Sequence, residues 1–520
     1  MNTGPPLGVV AAQAARKFAG RTCLTYSGRR WTFAELELIV EGLATALAAR
    51  LPVGARAGLF MSNRPEYVFL QLALERAGLV RVPLNARFTA HEVGVILEDS
   101  GADALFFDSV TGDRAAEASL RMPGLWCCQV DGPDIANGAT WSDLMGGEAG
   151  PVRPVAIDDV CSINYTSGTS GKPKGVVLTH RNWAAVYKNM LVDRDIRGDD
   201  VVGHVGPLTH ASGTYFLPWF LRGACNVIVE GGTVDALVDA IPRERVSVFT
   251  CVPTLLTRIV NRPDIERLDF GSLRAIGYGA EPIPFNTLEK ALRRFGPILT
   301  QNYGLTEAMM TVAFLRPEEH FAPPSGAGAG ELRVGCIGRP YSFVEVVLRS
   351  PDGCAVPAGE VGEITIRSEH MMGGYWNRPE ETAKVLRDGW LWSGDLATRD
   401  AEGFITLAGR SKEMLISGGF NIYPQEVEAL LTSHPSVLEA AVVGVPDPDW
   451  GEIAVAYVST VPNARLDGDA LQAHCRPVLG FRTPKSFRFL DALPKNANGK
   501  VDKPSLKARA MREQGGEEYG

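Results

Sequence analysis

Through about the first 400 residues, stretches with apolar positions three and four apart alternate with short runs of Val, Ile, Leu and Phe. The first spacing belongs to helices and the second pattern to buried strands. In "TFAELELIVEGLATALAA" (Thr32–Ala49), Thr32 is placed to cap the first turn and Glu35, three places on, completes a capping box. "RAGLFMS" and "LVRVPLN" read as strands around the helix "PEYVFLQLALERAG". This strand–helix–strand rhythm repeats and predicts an α/β architecture with largely parallel sheets. The N-terminal "MNTGPPLGVVAAQAARKF" reads as a short amphipathic helix, because it has neither a basic lead nor a cleavage site after an apolar core.

The texture changes later in the chain. "FAPPSGAGAGELRVG" (Phe321–Gly335) is a Gly/Pro-rich stretch expected to be an exposed, flexible connection. From about Gly338 come short strands, "FVEVVLRS", "GEITIRS" and "GFITLAGR", with "PDG" and "AEG" turns between them. After Arg410 a smaller unit reads helix "PQEVEALLTSHP", strands "EAAVVGVP" and "EIAVAYVST", helix "DALQAHCRPVL" and strand "SFRFLDAL". That is an α+β unit of about 110 residues, enough for its own core. No internal repeat is evident.

Length and composition narrow the class. A chain of 520 residues exceeds what one core usually supports, so at least two domains are expected. Apolar content of 45% and charged content of 22% are ordinary for a soluble globular protein. A net charge of −8 argues against nucleic acid as the main partner. No apolar window reaches membrane length. The nine cysteines are scattered with no C-x-x-C pair, which reads as reduced thiols in a cytoplasm.

The densest chemistry lies in "NYTSGTSGKPKGVVLTH" (Asn164–His180). "VCSINY" and "GVVLTH" on either side are β-prone, so Thr166–Lys174 is expected to be a tight loop between two strands. Gly168 and Gly171 let backbone N–H groups face an anion with no Cβ in the way. Thr166, Ser167, Thr169 and Ser170 add hydroxyl donors, and Lys172 and Lys174 add positive charge. That mixture suits a polyphosphate, although the same composition also makes flexible linkers. It is not a P-loop: Thr166 and Pro173 stand where that motif needs Gly and Ser/Thr, and an apolar strand-like run replaces its helix.

Four later stretches fit a nucleotide. In "QNYGLTEAM" (Gln301–Met309) a Tyr303 face can cover a purine, Thr306 can bond a phosphate and Glu307 can hold Mg²⁺ with the phosphates. Taken alone, Glu307 reads as a helix-start carboxylate. In "WLWSGDLA" (Trp390–Ala397), Asp395 either accepts two hydroxyls of a ribose diol or sits in a turn. "GRSKEMLISGGFNIYPQEVE" (Gly409–Glu428) offers Arg410 to a ribose or phosphate, and also reads as a domain linker. Lys500 in "LPKNANGKVDK" is a loop lysine of a kind usually solvated.

Together, "YTSGTSGKPKG", "YGLTE", "WSGDLA", "GRSKEMLISGGFNIYPQEVE" and "LPKNANGK", in that order, resemble the adenylate-forming superfamily of acyl-CoA synthetases, peptide-synthetase adenylation domains and firefly luciferase. The resemblance spans nearly the whole chain. It implies a large N-terminal domain of β-sheets and helices (1–409), a hinge (410–412, with Lys412 at its centre) and a small mobile α+β lid domain (413–520). It implies ATP, Mg²⁺ and CoA as cosubstrates and cofactor. In relatives the Thr166–Lys174 loop holds the β- and γ-phosphates. Tyr278, Gly279, Ala280 and Glu281 of "GYGAEPIP", with Tyr303 and Gly304, frame the adenine. Thr306 contacts the α-phosphate, Asp395 takes the ribose, Arg410 lies near ribose or phosphate, and Glu307 with Thr169 holds the metal. Lys500 bridges the carboxylate and the α-phosphate.

Charge explains why such residues are needed. A carboxylate must approach an anionic polyphosphate, and a unit charge pair at about 4 Å costs about 1 kcal/mol in water and several times that in a drier cleft. Positive charge from a metal and from Lys500 offsets this, most strongly as charge spreads in the transition state. In the second half-reaction the resemblance implies that the lid rotates about Lys412. Lys500 leaves, and Ser417, Gly418, Gly419 and Phe420 line a tunnel for pantetheine.

The acid and the acceptor are less legible. "PLTHASGTYFLPWF" resembles the family segment beside the acyl pocket, which makes His210, Ala211, Ser212, Gly213 and Tyr215, with Tyr278, Gly279, Gly304 and Met309, the candidate wall. His210 reads either as a pocket residue near the carboxylate or as a packed structural histidine. Small residues beside Tyr and Met suggest a carbon-rich acid of moderate size. No carrier-protein serine motif follows Lys500, so the enzyme is not expected to be fused to its acceptor; CoA is the expected acceptor and an amine the alternative. Arg482 and Lys485 are candidates for a CoA phosphate or a plain solvated pair. The expected partners are small molecules only, and the protein itself is expected to be a monomer or homodimer. A catalytically inactive binding protein and a kinase are the readings from other classes.

Overall fold

The computed structural model describes residues 4–132, 140–148, 150, 152–166, 173–322, 330–417, 420–496 and 500–514. Among them the strands form three sheets of 14, seven and five strands. The helix expected from the capping box runs Phe33–Arg50, and both reciprocal bonds between Thr32 and Glu35 are made. The N-terminal helix is Leu7–Lys17, with its apolar side buried.

The seven-stranded sheet has the order Gly374–Tyr375, Lys174–Thr179, Val160–Thr166, Val80–Leu84, Arg56–Phe60, Ala104–Phe107, Trp126–Gln129. From Val160–Thr166 onward its neighbours are parallel. The first three strands are antiparallel to one another. In the large sheet, parallel pairing links Thr22–Tyr26, Cys225–Ile228, Val201–His204, Val248–Cys251, Ala275–Gly279 and Leu299–Leu305. After Leu305 the sheet turns antiparallel, through Ala308–Leu315, Cys336–Pro340 and Ile405–Arg410 to Trp390–Arg399, Gly362–Arg367 and Glu345–Arg349. The expectation of largely parallel sheets therefore holds for the crossover-connected strands and fails in the rest of the large sheet, where some neighbours are joined by hairpin turns, as at Thr306–Glu307, and others pair across long stretches, as Cys336–Pro340 does with Ile405–Arg410.

Arg410 ends the last strand of the large sheet and Leu415 begins the first strand of the small one. The five-stranded sheet has two apolar clusters of its own. One, around Val427, Leu431, Leu471 and Cys475, is covered by the helices Pro424–Ser433 and Gly468–Leu479. The other, around Val443, Tyr457 and Leu506, is covered by Lys503–Gln514. Every residue of both clusters comes from this unit, so it buries a core independently of the rest. All nine cysteines are free thiols. No helix among the described residues is long and apolar enough to cross a membrane.

Candidate active site

In an open α/β sheet, ligands bind beyond the carboxyl ends of the parallel strands. The expected site residues gather there: Gly279 ends Ala275–Gly279, and Tyr303 and Gly304 lie in the last turn of Leu299–Leu305. Thr306 and Glu307 form a two-residue turn into Ala308–Leu315, with Leu305 opposite Ala308. Glu307 is thus at a hairpin tip and not at a helix start.

Close packing dictates the glycines. A Cβ on Gly304 would stand 2.6 Å from the backbone N and Cα of Met310, and one on Gly279 would stand 2.2 Å from the carbonyl oxygen of Asn302. Met310 and Ala280 adopt positive φ (60° and 72°) without being glycine. Such strain is held only where surrounding structure over-determines it, and here it lines the cleft.

Asp395 lies within the strand Trp390–Arg399, opposite Arg410, and not in a turn. Arg410 Nε sits 3.0 Å from its Oδ1. Tyr303 Oη donates to its Oδ2 at 2.6 Å. Burial first, and then the Asp395 carboxylate, push the Tyr303 phenol well above its ordinary pKa, so it stays a donor. Glu281 accepts from Thr254 N (3.0 Å) and Thr254 Oγ1 (2.7 Å), which ties the "GYGAE" segment to the start of the helix Pro253–Val260. Tyr278 is buried with its Oη 3.1 Å from His320 Nε2. His320 Nδ1 lies 3.0 and 3.1 Å from the carbonyls of Arg316 and Pro317. Nδ1 is therefore the donor and Nε2 accepts from the tyrosine. Burial lowers the His320 pKa and keeps the ring neutral.

Lys500 reaches this cleft from the small unit. Its backbone N donates to Asn496 Oδ1 (3.1 Å) and its carbonyl accepts from Asn496 N (2.8 Å), which fixes the loop. The side chain keeps solvent contact. Loss of hydration beside the cleft walls and then the Arg410 cation lower its pKa, while Glu281 and Asp395 raise it. One basic side chain thus lies within electrostatic reach of three groups proposed for the nucleotide.

Thr166 and Lys174 face each other across the antiparallel strands Val160–Thr166 and Lys174–Thr179, so the loop does tie two strands together. Ser167, Gly168, Thr169, Ser170, Gly171 and Lys172 lie outside the described residues, as do Gly418 and Gly419. No three His, Cys, Asp or Glu side chains among the described residues converge to hold a metal. Glu307 offers one hard carboxylate, its Oε1 accepting from Tyr375 Oη at 2.7 Å. A single carboxylate fits a Mg²⁺ whose other ligands are phosphates and water, the usual way that ion is held.

The acyl-pocket candidates separate. His210 is exposed before the short helix Ala211–Thr214, its Nδ1 2.9 Å from Thr209 Oγ1. Ser212, Gly213 and Tyr215 are buried, and the Tyr215 ring lies 5.0 Å from the Arg194 guanidinium. Ala211 and Met309 are half-buried. Ser417 is buried opposite the exposed Phe420, whose ring lies 4.6 Å from Phe481. Lys412 sits in a turn closed by Glu413 N and Met414 N, both 3.0 Å from the Arg410 carbonyl. Arg482 is half-buried and bonds Glu426 (2.5 Å), while Lys485 is exposed with its ammonium 4.6 Å from the centre of the Trp450 ring. Tyr375, Glu381 and His320 were not foreseen. "GGYWNRPEE" carried a Gly-Tyr step and a Pro-Glu-Glu helix start that could have drawn notice.

Comparison with known proteins agrees with this arrangement. The chain is 38% identical over 508 residues to a feruloyl-CoA synthase of an Amycolatopsis species, covering 97% of this chain and 99% of that one. It is 32% identical over 473 residues to a medium/long-chain-fatty-acid–CoA ligase of Mycobacterium tuberculosis, covering 88% and 81%. The fold superposes on an amide bond synthetase from Marinactinospora thermotolerans with TM-score 0.88 and 30% identity, covering 97% and 99%. Residues 11–376 match the AMP-binding enzyme family and residues 426–500 match its C-terminal domain. The chain thus carries both domains of an adenylate-forming protein, and it belongs to the AMP-binding enzyme family.

Proposed function

We propose that the protein is an AMP-forming acid–CoA ligase. A carboxylate oxygen attacks the α-phosphorus of ATP and the bond to pyrophosphate breaks. The CoA thiol sulfur then attacks the acyl-adenylate carbonyl, and AMP leaves. The observation that carries this reading is the Asp395 carboxylate held between Tyr303 Oη (2.6 Å) and Arg410 Nε (3.0 Å), with Lys500 of the small unit within electrostatic reach of it. Its ammonium offsets the repulsion between the incoming carboxylate and the α-phosphate, an interaction strongest as charge spreads. The Asp395 carboxylate, held by Arg410 and Tyr303, presents acceptor lone pairs to a ribose. When bound, Mg²⁺ supplies positive charge at the phosphates, and Glu307 with Thr169 is the set that would hold it. Rotation at Lys412 replaces Lys500 by the Ser417–Phe420 segment for the second step. The nine free thiols support a reducing cytoplasmic setting.

The acid we propose is carbon-rich and aromatic, with a phenylpropenoic acid of the ferulate type first in the panel. The relative named a feruloyl-CoA synthase, which aligns almost end to end, supports that choice. The fold's likeness to an amide bond synthetase favours a second reading, in which an amine takes the acyl group. Purified protein with ATP, Mg²⁺, a panel of acids and either CoA or amines, read by mass spectrometry, separates the two. Acid-dependent pyrophosphate release is expected; ADP as product, or no release with any acid, overturns the proposal. Lys500→Ala is expected to abolish adenylation yet retain much of the second step from supplied acyl-adenylate. Equal loss in both steps would remove the role given to Lys500.

A further inference from the structure

The segment Met372–Glu381 carries no assigned role, yet it touches the Glu307 turn and both arms of the phosphate loop. It enters as an edge strand, with Gly374 opposite Val177 and Tyr375 opposite Val176. Trp376 N donates to the Gly175 carbonyl at 2.7 Å, and Met372 N donates to the Glu307 carbonyl at 2.8 Å. The Thr382 hydroxyl accepts from Tyr375 N (2.9 Å) and donates to the Arg378 carbonyl (2.8 Å), which fixes the backbone on which the tyrosine stands.

The side chains converge on the proposed phosphate end. Tyr375 Oη donates to Glu307 Oε1 at 2.7 Å. Lys174 Nζ lies 5.1 Å from the centre of the same ring and pairs with Glu381. On the other arm, Asp99 accepts from Tyr165 Oη (2.6 Å) and from Arg378 Nη2 (2.9 Å), while Trp376 Nε1 donates to the Asp99 carbonyl (3.1 Å). One aromatic ring therefore spaces the last cation of the phosphate loop from the carboxylate proposed to hold Mg²⁺. Its hydroxyl takes one carboxylate oxygen and leaves the other to a cation.

We infer that Tyr375 is a positioning residue for the metal–nucleotide end of the site, acting through Glu307; this rests on the reading of Glu307 given above. A hydrogen bond to an ionised carboxylate fixes its rotamer and the direction of its remaining lone pairs. Packing alone would need only the ring.

Tyr375→Phe separates the two, because it keeps the ring and removes the hydroxyl. The probe is Mn²⁺, titrated by electron paramagnetic resonance in the presence of a non-hydrolysable ATP analogue. Tyr375→Phe is expected to weaken Mn²⁺ binding about tenfold, the scale of one hydrogen bond to a charged group. Metal-free binding of the analogue and acyl transfer from supplied acyl-adenylate are expected to stay at the wild-type level. In a Glu307→Gln background, adding Tyr375→Phe is expected to change Mn²⁺ affinity no further. Wild-type Mn²⁺ affinity in Tyr375→Phe, beside a loss in Glu307→Gln, overturns the inference alone. The same holds for a Tyr375→Phe loss that persists in the Glu307→Gln background, or one matched by metal-free binding. Wild-type affinity in Glu307→Gln removes the metal reading of Glu307 and the inference with it.

Discussion

Lys500 has to be an ammonium to do the work proposed for it, and its surroundings make that state harder to keep. Lost hydration and the Arg410 cation lower its pKa, and Glu281 and Asp395 only partly restore it. The adenylation rate should therefore fall as pH rises through that lowered pKa, at a pH below the ordinary lysine range. Acyl transfer from supplied adenylate, which does not use Lys500, should lack that limb. Pyrophosphate exchange and thioester formation followed across alkaline pH would show it, and a shared limb would count against the assignment. At this scale the sequence was informative where a residue's chemistry stands out within a short motif, as with Asp395 and Lys500. It was silent where the meaning lies in a distant partner. Tyr375 matters because a hydrogen bond joins it to Glu307, 68 positions earlier. His320 matters because it receives the Tyr278 hydroxyl.

The hairpin of Leu299–Leu305 and Ala308–Leu315 is the element that carries Tyr303, Thr306 and Glu307. Its tip closes tightly, since Met310 backbone atoms occupy the space a Cβ on Gly304 would need. Gly304→Ala must push that backbone aside, at a cost of about 1–3 kcal/mol for overpacking. The displacement falls on the turn holding Glu307, so adenylation should drop further than the melting temperature suggests. A melting curve and a pyrophosphate-exchange rate on the same sample test this; full activity at lowered stability would contradict it. Local signals fixed most elements, from the Thr32–Glu35 capping box to the strands around the phosphate loop. The short strands and turns after Gly338 were legible, and Glu345–Arg349 does pair antiparallel with Gly362–Arg367; what stayed hidden was their order in the large sheet, because it depends on pairings between segments far apart, such as Cys336–Pro340 with Ile405–Arg410.

Across the whole molecule the most pervasive electrostatic feature is a set of neutral imidazoles, four buried and one half-buried. Burial lowers the pKa of His180 and His370 from 6.5 to about 4, and also lowers His204, His320 and His434. They lie in different places: His180 beneath the N-terminal helix, His204 and His320 near the cleft, His370 ahead of the edge strand, His434 in the small unit. Each binds its proton at lower pH when folded than when unfolded. The unfolded chain thus holds more protons as pH drops below about 6.5, and stability falls with pH through that window down to about 4. Glu75 acts in the opposite sense: burial raises its pKa to about 7, so its folded form gains a proton first and it stabilises the fold as pH falls. Burial raises Glu363 in the same sense, and two such carboxyls set against five imidazoles leave acid destabilisation as the net result. The denaturation midpoint should therefore decline steadily between about pH 6.5 and about pH 4.5, before ordinary carboxylates titrate. His370→Gln, which cannot take up that proton, should flatten the decline. A midpoint unchanged over this interval, or a slope that His370→Gln leaves intact, would mean these imidazoles are already hydrated enough to charge within the fold.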